Sequence, residues 1–271
     1  MDVRRSPRPR ALSVAGSDSG GGAGIQADLK TFSALGVYGM TAVTAVTVQN
    51  TKGVSGYESL SPTTVGDQIR AVVTDIGVDA AKTGMLASAA IVEAAADALS
   101  ETGVPNLVVD PVFVSKHGHA LLEEDAVQAL RGSIVPLATL VTPNLPEATG
   151  LAGFEVSTRD LMEDGAEAIL AMGPKAVLVK GGHLEGATTA ADLFFDGHRM
   201  DWIEGERIDT PNTHGTGCTL SSAIAAHLAR GAELGDAVRA GKAFVTEAIR
   251  HALKLGDGIG PVDQLWAAPR S

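Results

Sequence analysis

The run Asn212-Thr213-His214-Gly215-Thr216-Gly217-Cys218 leads straight into an Ala- and Leu-rich stretch at 219–228. Two glycines let the backbone turn tightly and aim several N–H groups at one point. The helix that follows adds unpaired amide donors and about half a positive charge at its start. Such a place holds phosphate, or the charge that develops on a phosphoryl group in transfer. The chain's only cysteine, Cys218, stands there, and a helix N-terminus is expected to lower a thiol's pKa. The alternative is a plain glycine loop ahead of a packing helix, with Cys218 as a small core residue.

Other segments offer complementary chemistry. Gly16-Ser17-Asp18-Ser19-Gly20-Gly21-Gly22-Ala23-Gly24 is glycine-rich. It has neither the Gly-Lys-Ser/Thr ending of a Walker A loop nor a clean Gly-x-Gly-x-x-Gly spacing. It is either a loop that brings backbone close to a ligand or a flexible turn. Asp28 follows in the next helix and either complements the helix dipole or accepts hydrogen bonds from a substrate. Gln49, after an apolar run, carries both donor and acceptor; it suits the edge of a heteroaromatic ring or caps a strand. Asn144 and Glu147 lie three apart. They present hard oxygens of the kind Mg²⁺ prefers, or they form a capping pair. Lys180, at the end of an apolar run, could neutralise phosphate as a point cation. Lys116 and Lys242 are weaker candidates of the same kind. The seven histidines lack metal-ligand spacing, His117 and His119 included, so no zinc site is expected.

These residues need a scaffold, and the hydrophobic pattern supplies one. Short β-branched runs at 11–15, 41–48, 80–83, 106–110, 139–142 and 176–180 alternate with helical patterns. The latter lie at 25–35, 62–76, 89–100, 124–134, 161–172, 219–229 and 234–255. Alternation of this kind specifies a mostly parallel sheet covered by helices on both faces. A hairpin is expected at 190–203, turning at Asp196-Gly197-His198. Most of the polar and glycine punctuation falls just after the strand C-termini, where ligands bind in open α/β sheets. No repeat or linker divides the chain. Residues 1–10, basic and Pro-containing, read as a disordered tail, and 11–271 as one domain.

Composition narrows the function further. Hydrophobic residues make up 45% of the 271 and aromatics 4%, so the core is built of Ala, Val, Leu and Ile. No apolar run reaches the ~18 residues a membrane span needs. A net charge of −11 argues against nucleic acid and anionic membranes as partners. One cysteine precludes an intramolecular disulfide framework and suits a reducing cytoplasm.

Together the segments resemble hydroxymethylpyrimidine/phosphomethylpyrimidine kinases of the ribokinase-like superfamily, from about residue 11 to 263. The likeness rests on Ala15-Gly16-Ser17-Asp18, Gly21-Gly22-Ala23-Gly24-Ile25-Gln26-Ala27-Asp28-Leu29-Lys30-Thr31-Phe32, Gln49-Asn50-Thr51 and Lys82-Thr83-Gly84-Met85-Leu86. It rests equally on Thr142-Pro143-Asn144-Leu145-Pro146-Glu147 and on the 212–218 loop. The resemblance implies a three-layer α/β/α sandwich, Mg-ATP as phosphoryl donor and a cytoplasmic homodimer. It implies as substrates 4-amino-5-hydroxymethyl-2-methylpyrimidine and then its monophosphate, on the way to thiamine. Asp28 and Gln49 would then bond the aminopyrimidine, with Gly16, Met85 and Val112 lining its pocket. Asn144 and Glu147 would organise Mg²⁺ through water, and Thr213 and Lys242 would contact nucleotide. Lys180 would lie near the transferring phosphate, Gly215, Thr216, Gly217 and Cys218 would form the anion hole, and Cys218 would act as the base. The loop Phe113-Val114-Ser115-Lys116-His117-Gly118-His119 departs from the family pattern of a small residue followed by Gly and Asp. The nearest rival is a pyridoxine/pyridoxal kinase of the same fold, or an enzyme with both activities. A sugar kinase is disfavoured because Cys218 stands where those relatives carry aspartate. A non-catalytic binding protein is disfavoured by the retention of Asn144, Glu147 and Lys180.

Overall fold

The computed structural model describes residues 8–113, 124–182, 184 and 189–268. Its centre is a nine-stranded sheet in the order β3-β2-β1-β4-β5-β6-β7-β8-β9. The strands are β1 (Arg10–Ser17), β2 (Tyr38–Asn50), β3 (Gly53–Ser59), β4 (Ala80–Thr83), β5 (Leu107–Val109), β6 (Leu140–Val141), β7 (Val177–Val179), β8 (Asp192–Phe195) and β9 (Met200–Ile203). Neighbours from β2 through β7 run parallel, and β3, β8 and β9 add antiparallel edges.

Inner strands bury both faces, which is why they read as continuous apolar runs. Successive residues serve opposite cores. Val14, Val109, Val141 and Val177 belong to one. Val108, Leu140 and Leu178 belong to the other. The first core is closed by α2 (Pro62–Asp75), α3 (Ala89–Glu101), α5 (Leu145–Ala152) and α6 (Arg159–Leu170). The second is closed by α1 (Gly24–Ala34), α7 (Thr216–Ala229) and α8 (Leu234–Arg250). The result is the expected three-layer sandwich.

Several boundaries differ from the sequence reading. Arg10 is not tail: it pairs with Tyr38 in the sheet, and its guanidinium holds Asp79 at 2.8 Å. Strand β3 was not expected, because Gly53 and Gly56 interrupt its pattern and much of it is exposed. The stretch after Gln49 is therefore a tight turn into β3. The 124–134 helix is regular only as α4 (Glu124–Ala129), then passes through a π turn and a 3₁₀ turn to Leu137. Helix α7 begins at Thr216, so Gly217 and Cys218 lie inside its first turn. The expected hairpin forms, with Gly197 at φ +87° and Asp196 Oδ1 accepting from the His198 and Arg199 amides at 2.9 Å each.

Candidate active site

Strand C-termini and the start of α7 converge on one edge of the sheet. On the β7 side, Lys180 Nζ lies 2.9 Å from Asp110 Oδ1 and 3.6 Å from Glu147 Oε2. Asp110 also accepts from Thr142 and Ser221, each at 3.3 Å. Burial opposes the charge on Asp110, but Lys180 and then Lys82 outweigh it and hold its carboxyl below the usual range. Burial pushes Glu147 up to about 7, with Lys180 opposing and Asp110 adding to the rise. The lysine's own pKa is raised: its two anions overcome the cost of burial.

Asn144 and Glu147 do form a capping box, with Glu147 N–H donating to Asn144 Oδ1 at 2.9 Å and Asn144 N–H to Glu147 Oε2 at 2.8 Å. Capping and ligand binding are compatible, because the box leaves Glu147 Oε1 unused. Gly217 fits against the lysine cluster, since a Cβ there would meet Asp110 Oδ2 and Lys180 Nζ at 3.5 Å. Thr219 N–H closes the first turn of α7 on Gly215 O at 2.9 Å, and Thr216 N–H reaches Thr213 O at 3.4 Å. The Gly217 and Cys218 amides precede that first helical bond and donate to no group among the described residues. The Gly215 amide likewise has no acceptor among the described residues, so three amides of the expected four are unbonded at the helix start.

The N-terminal glycine loop is built around Asp18. Its carboxylate accepts the Gly20, Gly22 and Ala23 amides at 2.8, 3.0 and 2.8 Å, and His214 Nε2 sits 2.9 Å from Oδ2. Burial alone would raise its pKa, but His214 and these amides bring it below the ordinary 3.8. A carboxyl depressed on folding stabilises fully above its unfolded value and ceases to do so as pH falls through its folded value. Acid unfolding of the protein is therefore expected to steepen below about pH 4. Asp18→Asn is expected to melt lower at pH 7 and to lose that part of the acid slope, measured by thermal denaturation across pH. The two glycine loops also interlock: Gly215, at φ +82°, packs directly on the Gly22 carbonyl. Gln264 donates to the same carbonyl at 3.3 Å.

Two expectations are corrected. Asp28 does not face a pocket. It is fully buried, and Ser13, Lys82 and Ser222 occupy its oxygens at 2.5 to 3.1 Å. Nor does the helix start lower the thiol. Cys218 is half-buried and burial pushes it up to about 11, with Lys82 opposing and Asp28 and Asp110 adding.

The remaining candidates spread around this edge. Gly16 and Met85 are neighbours: a Cβ on Gly16 would meet Met85 Sδ at 3.3 Å. The half-buried Val112 follows Asp110, to whose carbonyl it donates at 2.9 Å. The Gln49 side-chain amide lies 3.2 Å from His214 Nε2 and 3.3 Å from Thr47 Oγ1, so it is held against the glycine loops. Thr213 carbonyl accepts from Thr216 Oγ1 at 2.8 Å. Lys242 is not part of the Lys180 cluster. It bonds Asp192 at 2.6 Å and the Ala190 carbonyl at 2.8 Å, and lines a separate open cleft with Ile203, Gly205, Ala243 and Thr246. Lys116, His117, His119 and His183 lie outside the described residues.

Sequence reading assigned no role to Lys82, Asp110 or the Asp18–His214 pair. Asp110 carried a signal, an acid closing a buried strand just before Pro111. Lys82 carried one too, a lone cation inside an apolar strand.

Comparison with known proteins gives the family. The phosphomethylpyrimidine kinase family model matches residues 18–263. The hydroxymethylpyrimidine/phosphomethylpyrimidine kinase of Streptomyces coelicolor is 53% identical over 96% of this chain and 95% of its own. The thiamine biosynthesis bifunctional protein ThiED of Geobacter sulfurreducens is 50% identical over 98% of this chain and 54% of its own. Among solved structures, an ADP complex of Bacillus subtilis pyridoxal kinase superposes with a TM-score of 0.90, at 43% identity over 96% of this chain and 99% of that one. No helix among the described residues is long and apolar enough to cross a membrane. With a ribokinase-like sandwich and a lysine–carboxylate cluster beside Gly217 at the start of α7, the chain belongs to the phosphomethylpyrimidine kinase family of phosphotransferases.

Proposed function

We propose that the protein is a single kinase domain. It moves the terminal phosphoryl group of ATP to the hydroxymethyl oxygen of 4-amino-5-hydroxymethyl-2-methylpyrimidine, then phosphorylates the monophosphate, in thiamine biosynthesis. The observation that carries this is Lys180, held by Asp110 and Glu147 beside Gly217 in the first turn of α7. Phosphoryl transfer asks for positioning and charge stabilisation more than for covalent work. Lys180 supplies a cation fixed by its two anions, and the Gly217 and Cys218 amides supply dipoles that need no rearrangement. Gly16, Met85, Val112 and Gln49 surround the acceptor ring, while Thr213 and Lys242 serve the nucleotide.

Asn144 and Glu147 fit Mg²⁺ bound through water. Their donors are hard oxygens, and Glu147 Oε1 takes no part in the capping box. The ion, when bound, offsets phosphate charge. Cys218 acts here as a neutral thiol, because a group near 11 is only about one part in 10⁴ ionised at pH 7. A loose transition state needs little base strength.

The pyridoxal kinase likeness favours one second reading, phosphorylation of pyridoxal at the same site. A coupled ATPase assay with the pyrimidine, its monophosphate and pyridoxal under one set of conditions separates the two. The pyrimidines are expected to give the higher kcat/KM, and turnover of pyridoxal alone would overturn the first reading. In the same assay Cys218→Ser is expected to retain turnover within about tenfold, since it keeps a small neutral group under the same amides. A loss beyond a thousandfold would restore the thiolate as base.

A further inference from the structure

Within the sheet, Ser13 of β1 and Lys82 of β4 are register partners. Both point into the layer of α1 and α7, where they meet Asp28. There Lys82 Nζ meets both oxygens of Asp28 at 3.0 and 3.1 Å, and Ser222 Oγ of α7 donates to Asp28 Oδ1 at 2.5 Å. All four side chains are fully buried. A buried ion pair is poor value as a stabiliser, because apolar residues of the same volume usually do as well. Its placement is informative instead. Ser222 lies one helical turn beyond Cys218, on the same face of α7. Lys82 Nζ also abuts Gly84, where a Cβ would approach it to 2.8 Å. The pair is thus tied to α7 one turn along from the Cys218 amide.

We infer that Lys82 is a positioning residue for phosphoryl transfer: through Asp28 and Ser222 it anchors α7 one turn beyond Cys218 and so holds the helix start in place. This rests on the kinase reading above. It gives Asp28 a task below the site in place of contact with the acceptor ring. The charged groups that surround Cys218 are then Lys82 from β4, Asp28 from α1, Asp110 after β5 and Lys180 at the end of β7. Of these, Lys82 and Asp28 are fully buried.

A pair of single variants and one double variant test this. Ser222→Ala and Ser13→Ala each delete one hydrogen bond to Asp28 without stranding a charge. Both are expected to melt lower by similar amounts. Only Ser222→Ala, which cuts the link to α7, is expected to lose about tenfold in kcat with KM for ATP unchanged. The double variant Asp28→Asn/Lys82→Met keeps shape and removes both charges. It is expected to fold and to lose tenfold or more in kcat, with the pH midpoint of Cys218 alkylation by iodoacetamide displaced from that of the wild type. If Ser222→Ala keeps wild-type kcat, or loses no more than Ser13→Ala, the inference is overturned whether or not the double variant folds. A wild type without kinase turnover would instead remove the kinase reading, a result distinct from variants that match an active wild type.

Discussion

Lys180→Met is expected to lower kcat by about 10²–10³-fold, comparable to removing a preorganised donor from an anion hole. The lysine is the cation between Asp110 and Glu147 and lies against Gly217. Methionine keeps most of the volume and leaves two buried carboxyls without the cation between them, Asp110 retaining only the more distant Lys82. Breaking a buried pair from one side costs about 3–5 kcal/mol. Part of that cost is relieved here, because Glu147 near 7 can take up a proton. The variant should therefore fold, with a lower melting temperature. Lys180→Arg keeps the charge but replaces a point cation by a planar fork, so its kcat should lie between the two. Steady-state kinetics beside circular dichroism melts read both effects. If Lys180→Met stayed within threefold of wild-type kcat, this cation would have no place in the reaction.

Gly215→Ala is expected to abolish turnover and lower the melting temperature together. The residue caps α7 in the left-handed region, at φ +82°. A side chain there is strained by about 1–2 kcal/mol. The larger effect is steric, since a Cβ would overlap the Gly22 carbonyl. Relief requires the two glycine loops to part, which moves the Gly217 and Cys218 amides and pulls on Asp18. Gly36→Ala, at a similar φ of +76° with no atom near its Cβ, is the matched control. It carries the same strain and is expected to melt slightly lower with turnover intact. Equal losses in the two variants would assign the effect to backbone strain and not to the interlock.

Much of this was readable from the chain because the signals are local. Glycine needs no side-chain partner to declare a turn, and apolar alternation declares which face of a strand is covered. Hence the 212–218 loop, the Asp196-Gly197 hairpin and the mostly parallel character of the sheet were visible. The corrections concern properties that arise only when distant elements meet. Nothing in Gly-Ile-Gln-Ala-Asp reveals that Asp28 will find Lys82, 54 positions on, and Ser222, 194 positions on. The cysteine's helix position was read correctly as local electrostatics, yet burial dominates it. Short α5 and exposed β3 escaped notice because their glycines and prolines blur the periodicity.

The Asp18–His214 contact spans 196 positions, and the last strand ends at Ile203. As the chain leaves the ribosome, every strand can emerge before the second half of the glycine clamp exists. Non-local pairing of this kind forms late, because closing so long a loop costs entropy before any contact repays it. A nascent chain halted after β9 would lack α7 and α8, which close one face of the sheet, and with them the second half of the glycine clamp.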